Sequence, residues 1–248
     1  MKHLYGLLLL LALLTAACGR QPKSAAVVQQ ARAANDSTIY GLICDGSNDT
    51  IVIFLNNPYD GADPDTLNIL EASKAHRVFG SLRVGDKVAL LRDTADTTHA
   101  SIVIVEEDLL GQWCYRVKPT LKRKAAMDGQ TTAQTIGQLP DSVRKLLEVE
   151  LEYGFQLKID SMATPIGRRS RASADEESPV EYPRAKRYTQ WYILNGRLLL
   201  AETRMDSIGN NVTLSVDTAE FVTLTPDTLV LRFKDEEKGF YRKRENAS

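Results

Sequence analysis

Short runs of β-branched and aliphatic residues alternate with turn residues from Ser37 onward. Such runs, bounded by Gly, Pro, Asn and Asp, are typical of strands in small sandwiches and barrels. The first part of the pattern predicts five strands, with one helical turn over residues 71–76 between the third and the fourth. The predicted strands cover residues 38–43, 50–55, 66–70, 87–92 and 101–106.

A second series of predicted strands begins near Asp108. Asn195-Gly196, between alternating apolar residues, is typical of a type I′ hairpin because both residues tolerate a positive φ. Leu139-Pro140-Asp141 is typical of a helix start, and residues 167–183 form a long polar loop between the second and third strands. The eight predicted strands cover residues 111–117, 153–160, 188–194, 197–203, 212–216, 220–225, 228–233 and 239–242.

These patterns predict an all-β chain. Residues 37–107 form a small five-stranded barrel, and residues 108–248 form an eight-stranded antiparallel barrel with one helical insertion. An eight-stranded barrel has an interior that either is filled by its own side chains or holds one small ligand.

The N-terminal residues follow a different pattern. Lys2 precedes an apolar run over residues 7–14, and small residues follow up to Cys18. The run is shorter than the roughly 20 residues that span a membrane, so it predicts a secretory signal peptide over residues 1–17. Residues 19–36 contain no aromatic residue, and together with Cys18 they predict a flexible tether.

Cys18 follows Thr15-Ala16-Ala17 directly, which resembles the lipobox of bacterial lipoproteins. The resemblance implies that Cys18 becomes the acylated first residue, carrying palmitate-like chains that anchor the protein. Gly19 stands where an Asp would stand in inner-membrane lipoproteins, which implies the outer membrane. No acidic run follows Cys18, which favours the periplasmic face. The alternative is an ordinary signal peptide followed by an unrelated Cys.

The composition of the chain argues against several classes of function. The chain has 31 Lys and Arg against 32 Asp and Glu, whereas nucleic-acid binders need a basic face, so no nucleic-acid partner is expected. His76 and His99 are the only histidines after the signal peptide, which excludes a His-rich metal site, and no cofactor is expected. Because no nucleophile is paired with a base in a recognisable motif, we expect no enzymatic activity.

Gly111-Gln112-Trp113 lies on the first of the eight predicted strands, where it resembles the Gly-x-Trp motif of lipocalins. That resemblance covers about residues 108–245. It implies that Trp113 closes one barrel end and packs against a basic residue late in the chain, Arg242 or Arg244.

The first unit resembles an OB-fold. Together with the lipobox, the arrangement resembles Bacteroidetes lipoproteins and, more distantly, the NlpE family of envelope-stress lipoproteins. That family has the opposite domain order and a Cys-x-x-Cys, where this chain has Cys44-Asp45-Gly46-Ser47. Ten of the 18 Asp residues precede Ser or Thr. This resembles the O-glycosylation motif of exported Bacteroidetes proteins, although the same pairs also cap turns.

Two sets of residues are candidates for a site. Cys44 and Cys114 either form a disulfide in the oxidising periplasm or are each small buried residues. Alternation predicts that four residues of the second barrel face its interior and would line a ligand lumen: Trp191, Ile193, Leu198 and Leu200. We therefore expect a lipid-anchored, non-catalytic interaction protein that contacts another envelope protein. The alternative is a carrier of a small hydrophobic ligand.

Overall fold

The structure is a computed structural model, and it describes residues 36–122, 139–167 and 178–244. The predicted signal peptide, Cys18 and tether lie outside the described residues, as does most of the predicted polar loop. The all-β prediction is confirmed, because strands dominate the described chain. Within the described ranges, no helix is long and apolar enough to cross a membrane.

The first barrel consists of six strands and one short helix: β1 (Thr38–Ile43), β2 (Ile51–Asn56), β3 (Asp65–Asn68), helix α1 (Leu70–Lys74), β4 (Val78–Phe79), β5 (Lys87–Arg92) and β6 (Ala100–Val105). The strands form one sheet with the order β3-β2-β1-β5-β6-β4. A parallel bridge between Asn68 and His99 brings β3 back to the start of β6 and closes the sheet. The five predicted strands are confirmed, and β4 is an additional short strand parallel to β6.

The second barrel contains eight strands, β7 (Gly111–Val117), β9 (Leu151–Leu157), β10 (Ala163–Ile166), β12 (Gln190–Leu194), β13 (Arg197–Met205), β14 (Asn211–Leu224), β15 (Thr228–Arg232) and β16 (Glu237–Lys243). Their order is β10-β9-β7-β16-β15-β14-β13-β12, antiparallel throughout. Each strand thus neighbours the next along the chain, and β16 returns to β7. A bridge between Met162 and Gln190 joins the two edges, which makes an up-and-down barrel.

The remaining elements are short. Helix α2 (Glu106–Leu109) connects the two barrels, and helix α3 (Asp141–Leu147) confirms the predicted helical insertion. A 3₁₀ turn (Ile159–Ser161) precedes β10. Strands β8 (Thr120–Leu121) and β11 (Val180–Glu181) pair as a separate two-stranded ribbon.

Two strand predictions in the second barrel were wrong. Residues 212–216 and 220–225 are parts of the single strand β14, because the polar residues between them pair with β13 instead of turning. Strand β10 was missed because it contains Pro165, which usually interrupts a strand. Pro165 pairs with Phe155 on a strand at the edge of the sheet, where a missing N–H group costs little.

The two barrels share one buried cluster across α2. The rings of Phe79 and Phe221 lie 5.3 Å apart, and Ile104 packs in the same cluster as the interior of the second barrel. At the Asn195-Gly196 hairpin, the Asn195 N–H donates to Thr38 Oγ1 over 2.8 Å. The first barrel therefore covers the end of the second barrel at which this hairpin lies.

That hairpin has the predicted geometry. Asn195 and Gly196 have φ values of 50° and 72°, and they connect paired residues Leu194 and Arg197. A Cβ on Gly196 would lie 2.7 Å from Ile102 Cδ1. A side chain at this position would therefore displace the Ile102 terminal methyl group and would also adopt an unfavourable positive φ.

Candidate functional site

One end of the second barrel is sealed by Trp113 and Arg242, which face each other on paired strands. The Arg242 guanidinium carbon lies 4.2 Å from the Trp113 ring centroid. Trp113 is fully buried, and its Nε1–H donates to the Leu109 carbonyl over 2.7 Å. A Cβ on Gly111 would lie 2.6 Å from Arg242 Nη1, so glycine leaves room for the guanidinium.

Arg242 holds the chain around this end together. Its guanidinium donates to the carbonyl oxygens of Asp108 over 2.6 Å, of Leu110 and of Pro226 over 2.5 Å. Burial lowers the pKa of Arg242, and Asp108 and Asp227 oppose that change. The guanidinium still keeps its charge in a protein, and Gly111, Trp113 and Arg242 thus meet at one barrel end.

The four residues predicted to line a lumen are all buried in the barrel interior. Trp191 pairs with Leu200 and Ile193 with Leu198, and all four pack in one cluster with Trp113. Side chains therefore fill the half of the barrel next to the sealed end. None of the four lines the cavity at the opposite end.

That opposite end of the barrel opens into a cavity of about 810 Å³. Strands β7, β9, β14 and β16 contribute to its wall, together with residues 183–188 and the turn 233–236. We call this cavity the mouth. Its aromatic wall is formed by Tyr115, Phe155, Tyr188, Phe233 and Phe240, and its charged lining residues are Arg184, Lys186, Asp217, Lys234, Asp235, Glu236 and Lys238.

The aromatic rings of the mouth support one another. Tyr115 meets Phe240 edge-on, with centroids 5.5 Å apart, and Phe155 lies 5.1 Å from Phe240. Phe155 also meets Tyr188 edge-on at 5.8 Å. These separations lie in the range at which aromatic pairs attract, so the wall is a preformed apolar surface.

Tyr188 and Asp217 form the main polar contact of the mouth. The Tyr188 hydroxyl donates to Asp217 Oδ2 over 2.5 Å, and Lys186 Nζ lies 3.0 Å from the same oxygen. Burial raises the pKa of Tyr188, and the adjacent Asp217 carboxylate raises it further. Tyr188 therefore stays protonated at neutral pH, and its one O–H group remains donated to Asp217.

Lys238 is the cation that lies against the aromatic wall. Its Nζ is 3.8 Å from the Tyr115 ring centroid, and its side chain is 26% exposed. The nearest carboxylate is that of Glu236, at 3.6 Å and 62% exposed. Among the described residues, Arg184 and Lys234 form no ion pair.

No metal centre is apparent in the part of the chain that the structure describes, since no three His, Cys, Asp or Glu residues cluster there. Asp60, at the exposed loop before β3, accepts hydrogen bonds from Ala62 and Asn56, which lower its pKa. Asp65 on β3 pairs with Arg92. Both carboxylates thus have protein partners.

Cys44 and Cys114 are both free thiols, so the alternative of a disulfide between them is not realised in the structure. Thr38, at the start of β1, contacts the second barrel, whereas Cys44 follows the far end of that strand, about 20 Å away along an extended chain. Cys114 is buried on β7, and burial raises the pKa of its thiol. It fits the alternative of a small buried residue.

Two residues of the mouth could have been identified from the sequence, although the prediction of a ligand lumen did not include them. Side chains alternate between the two faces of a strand, so Lys238 and Phe240 share the face of Arg242 on β16. By the same rule, Tyr115 shares the face of Trp113 on β7. Extending the inward face from the sealing pair places Lys238 and Tyr115 inside the barrel.

Comparisons with known proteins identify no family for this chain. No protein-family model and no curated protein sequence matches the chain. Part of the chain is similar to the crystal structure of a lipocalin-like protein from Bacteroides thetaiotaomicron. The two are 17% identical, the match covers 54% of this chain and 96% of that chain, and the TM-score is 0.28. The architecture therefore rests on the strand order and the closing bridges of the two sheets.

Proposed function

We propose that this chain is a lipid-anchored, non-catalytic binding protein of the bacterial cell envelope, and that the mouth of its second barrel holds a small molecule. The observation that carries this proposal is the contrast between the two barrel ends. Trp113, Arg242 and the first barrel seal one end, whereas the other opens into a cavity of about 810 Å³. Ligand sites in proteins commonly enclose roughly 300–1,000 Å³.

The lining of the mouth suits binding. Ligand pockets usually combine apolar and aromatic walls with a few polar groups that orient the ligand. Here the aromatic rings supply the apolar surface. Lys238 supplies the polar group for a ligand, beside the Tyr188–Asp217 pair. The filled interior beneath them supports a shallow ligand at the mouth, in place of the deep lumen that the alternative of a hydrophobic-ligand carrier implied.

The polar groups also support binding over catalysis. A general base must lose its proton near the working pH, whereas burial and Asp217 shift the pKa of Tyr188 upward, away from neutrality. The Asp217 carboxylate is occupied by Tyr188 and Lys186. Both groups thus have protein partners within the mouth.

Native mass spectrometry tests the binding role. The protein beginning at Gln21 would be exported to the periplasm without lipid and purified without detergent. We expect a bound species on the order of a few hundred daltons, the size that such a pocket encloses. A bare polypeptide mass in preparations from every growth condition would contradict small-molecule binding.

The membrane anchor has its own test. The lipobox-like Thr15-Ala16-Ala17 before Cys18 supports acylation of that cysteine. Gly19 supports the outer membrane, and the lack of an acidic run after Cys18 supports its periplasmic side. Cys18→Ala should move the protein from the membrane fraction to the soluble fraction after cell lysis. Continued membrane association of a Cys18→Ala variant from which the signal peptide has been removed would contradict the anchor.

A second candidate function, contact with an envelope protein, is favoured by the outer part of β14. Within the described residues, β14 pairs with β15 only over Glu220–Leu224, so residues 211–218 leave one strand edge open. Val212, Leu214 and Val216 on this segment are 39%, 56% and 45% exposed. An open apolar edge is a template for an added strand from a partner.

A photo-crosslinking residue tests this second candidate. Placed at Leu214, it should capture an envelope protein in living cells. Placed at the partly exposed Leu42 of the first barrel, it should capture none. Absence of a specific product at Leu214 would contradict partner binding through this edge.

A further inference from the structure

We propose that the ligand of the mouth is an organic anion, with its acidic group on Lys238 and its apolar part against the aromatic wall. This inference rests on the proposed binding function and adds the chemical class of the ligand. Its central observation is a partly buried lysine whose charge is weakly compensated. The position, the partners and the surroundings of Lys238 each contribute to it.

Strand pairing and the Tyr115 ring define the position of Lys238. It shares the inward face of β16 with Phe240 and Arg242, and it pairs with the buried Leu231 on β15. Its ammonium nitrogen lies 3.8 Å from the centre of the Tyr115 ring, within the distance of a cation–π contact. The ring therefore places the charge at the boundary between the aromatic wall and the open cavity.

The anionic partner of Lys238 is distant. Glu236 Oε1 is 3.6 Å from Nζ, which is beyond hydrogen-bonding distance, and Glu236 is largely exposed. Asp217, another carboxylate of the mouth, already binds Tyr188 and Lys186. An incoming carboxylate or sulfonate would supply the charge-assisted hydrogen bond that Lys238 lacks in the described structure.

The residues around Lys238 favour an anionic ligand over a neutral or a cationic one. A neutral ligand would gain contact with Tyr115, Phe155 and Phe240 but would not improve the partners of Lys238. A cationic ligand on the aromatic wall would lie against the Lys238 ammonium group, and like charges would oppose it. The lining also holds three carboxylates, but Asp217 is already paired with Tyr188 and Lys186, and Glu236 is largely exposed. Only an anion gains from both the rings and the ammonium group.

Two fluorescent probes with one skeleton test this inference. 8-Anilino-1-naphthalenesulfonate and N-phenyl-1-naphthylamine differ in the sulfonate. The change in the ratio of their dissociation constants when Lys238 is replaced therefore isolates the contribution of the Lys238 charge. For the unlipidated full-length mature protein we expect the sulfonate to bind about tenfold more tightly, the factor given by one net interaction of about 1.4 kcal/mol.

Lys238→Met keeps the chain length and removes the charge. It should abolish the preference for the sulfonate while leaving the affinity for the neutral probe within about twofold of the original. Lys238→Arg should keep the preference. The matched control is Lys74→Met, which removes an exposed lysine from α1 in the first barrel and should behave as the unaltered protein.

The outcomes separate this inference from the proposed function. Equal affinities for the two probes in the unaltered protein, or a preference that persists in Lys238→Met, would overturn the anionic class while leaving a binding site. Binding of neither probe would overturn both. If Lys238→Met fails to fold, Lys238→Gln provides the same comparison, with circular dichroism confirming the fold.

Discussion

Removing Arg242 should strongly destabilise the sealed end of the second barrel. The guanidinium donates to three carbonyl oxygens, those of Asp108, Leu110 and Pro226, and lies over Trp113. Arg242→Ala would leave these oxygens without their donor and would uncover the Trp113 ring.

The magnitude follows from these contacts. A hydrogen bond to a charged group contributes roughly 1.5–3 kcal/mol, and a cation–π contact roughly 0.5–2 kcal/mol. Only the bonds to Asp108 and Leu110 are partly buried, and water replaces the exposed bond to Pro226. At the lower end of each range, Arg242→Ala should cost about 3.5 kcal/mol of unfolding free energy.

Thermal unfolding followed by circular dichroism measures this loss. At roughly 2–4 °C per kcal/mol for a protein of this size, the Tm should fall by about 7–14 °C. Arg242→Lys should recover part of the loss, because lysine keeps the charge but lacks the planar fork.

Arg244→Ala is the matched control. Arg244 is 78% exposed and pairs with an exposed Asp227 at 2.8 Å, so its loss should cost at most about 1 kcal/mol. An Arg242→Ala variant that melts within about 2 °C of the unaltered protein would refute the assigned role of Arg242, as would equal losses of stability in both variants.

Three further predictions concern the rest of the molecule. Gly196→Ala should cost about 2 kcal/mol in urea unfolding, because it adds a close contact with the first barrel to an unfavourable φ of 72°. Its control is Gly209→Ala, which has a φ of 82° but no atom near its Cβ, and which should cost about 1 kcal/mol. In unlipidated protein, Ellman's reagent should modify Cys44 quickly and the buried Cys114 slowly, and an oxidant should form no bridge between them. The raised pKa of Tyr188 means that its contribution is fully present below its unfolded pKa of about 10 and is lost as the pH rises through the folded value. The stability difference from Tyr188→Phe should therefore be equal at about pH 7 and pH 9, and a difference that shrinks by pH 9 would contradict this.

Local chemistry explains which parts of the fold were predictable. The Asn195-Gly196 turn depends on two positive φ angles that its own residues supply, and helix α3 begins directly after Pro140, the residue that predicted its start. The full length of strand β14 could not be predicted from the local sequence, because only its pairing with β13 keeps its polar middle extended.

The site was harder to predict than the strands. Alternation correctly assigned Trp191, Ile193, Leu198 and Leu200 to the interior, but it does not tell whether interior residues touch one another or a cavity. That depends on how far each strand extends beyond its neighbours and on where the first barrel docks. Both are long-range properties, since Tyr115 and Lys238 lie on strands from opposite ends of the second barrel sequence.

Small-molecule binding at the mouth of the second barrel is tested most directly by backbone amide chemical shifts. The unlipidated protein would be titrated with 8-anilino-1-naphthalenesulfonate while its amide shifts are recorded. We expect saturable shifts centred on Tyr115, Phe155, Tyr188 and Lys238, with none at the Trp113–Arg242 end. Shifts confined to the outer face of β14, or no saturable shifts at all, would contradict binding at the mouth.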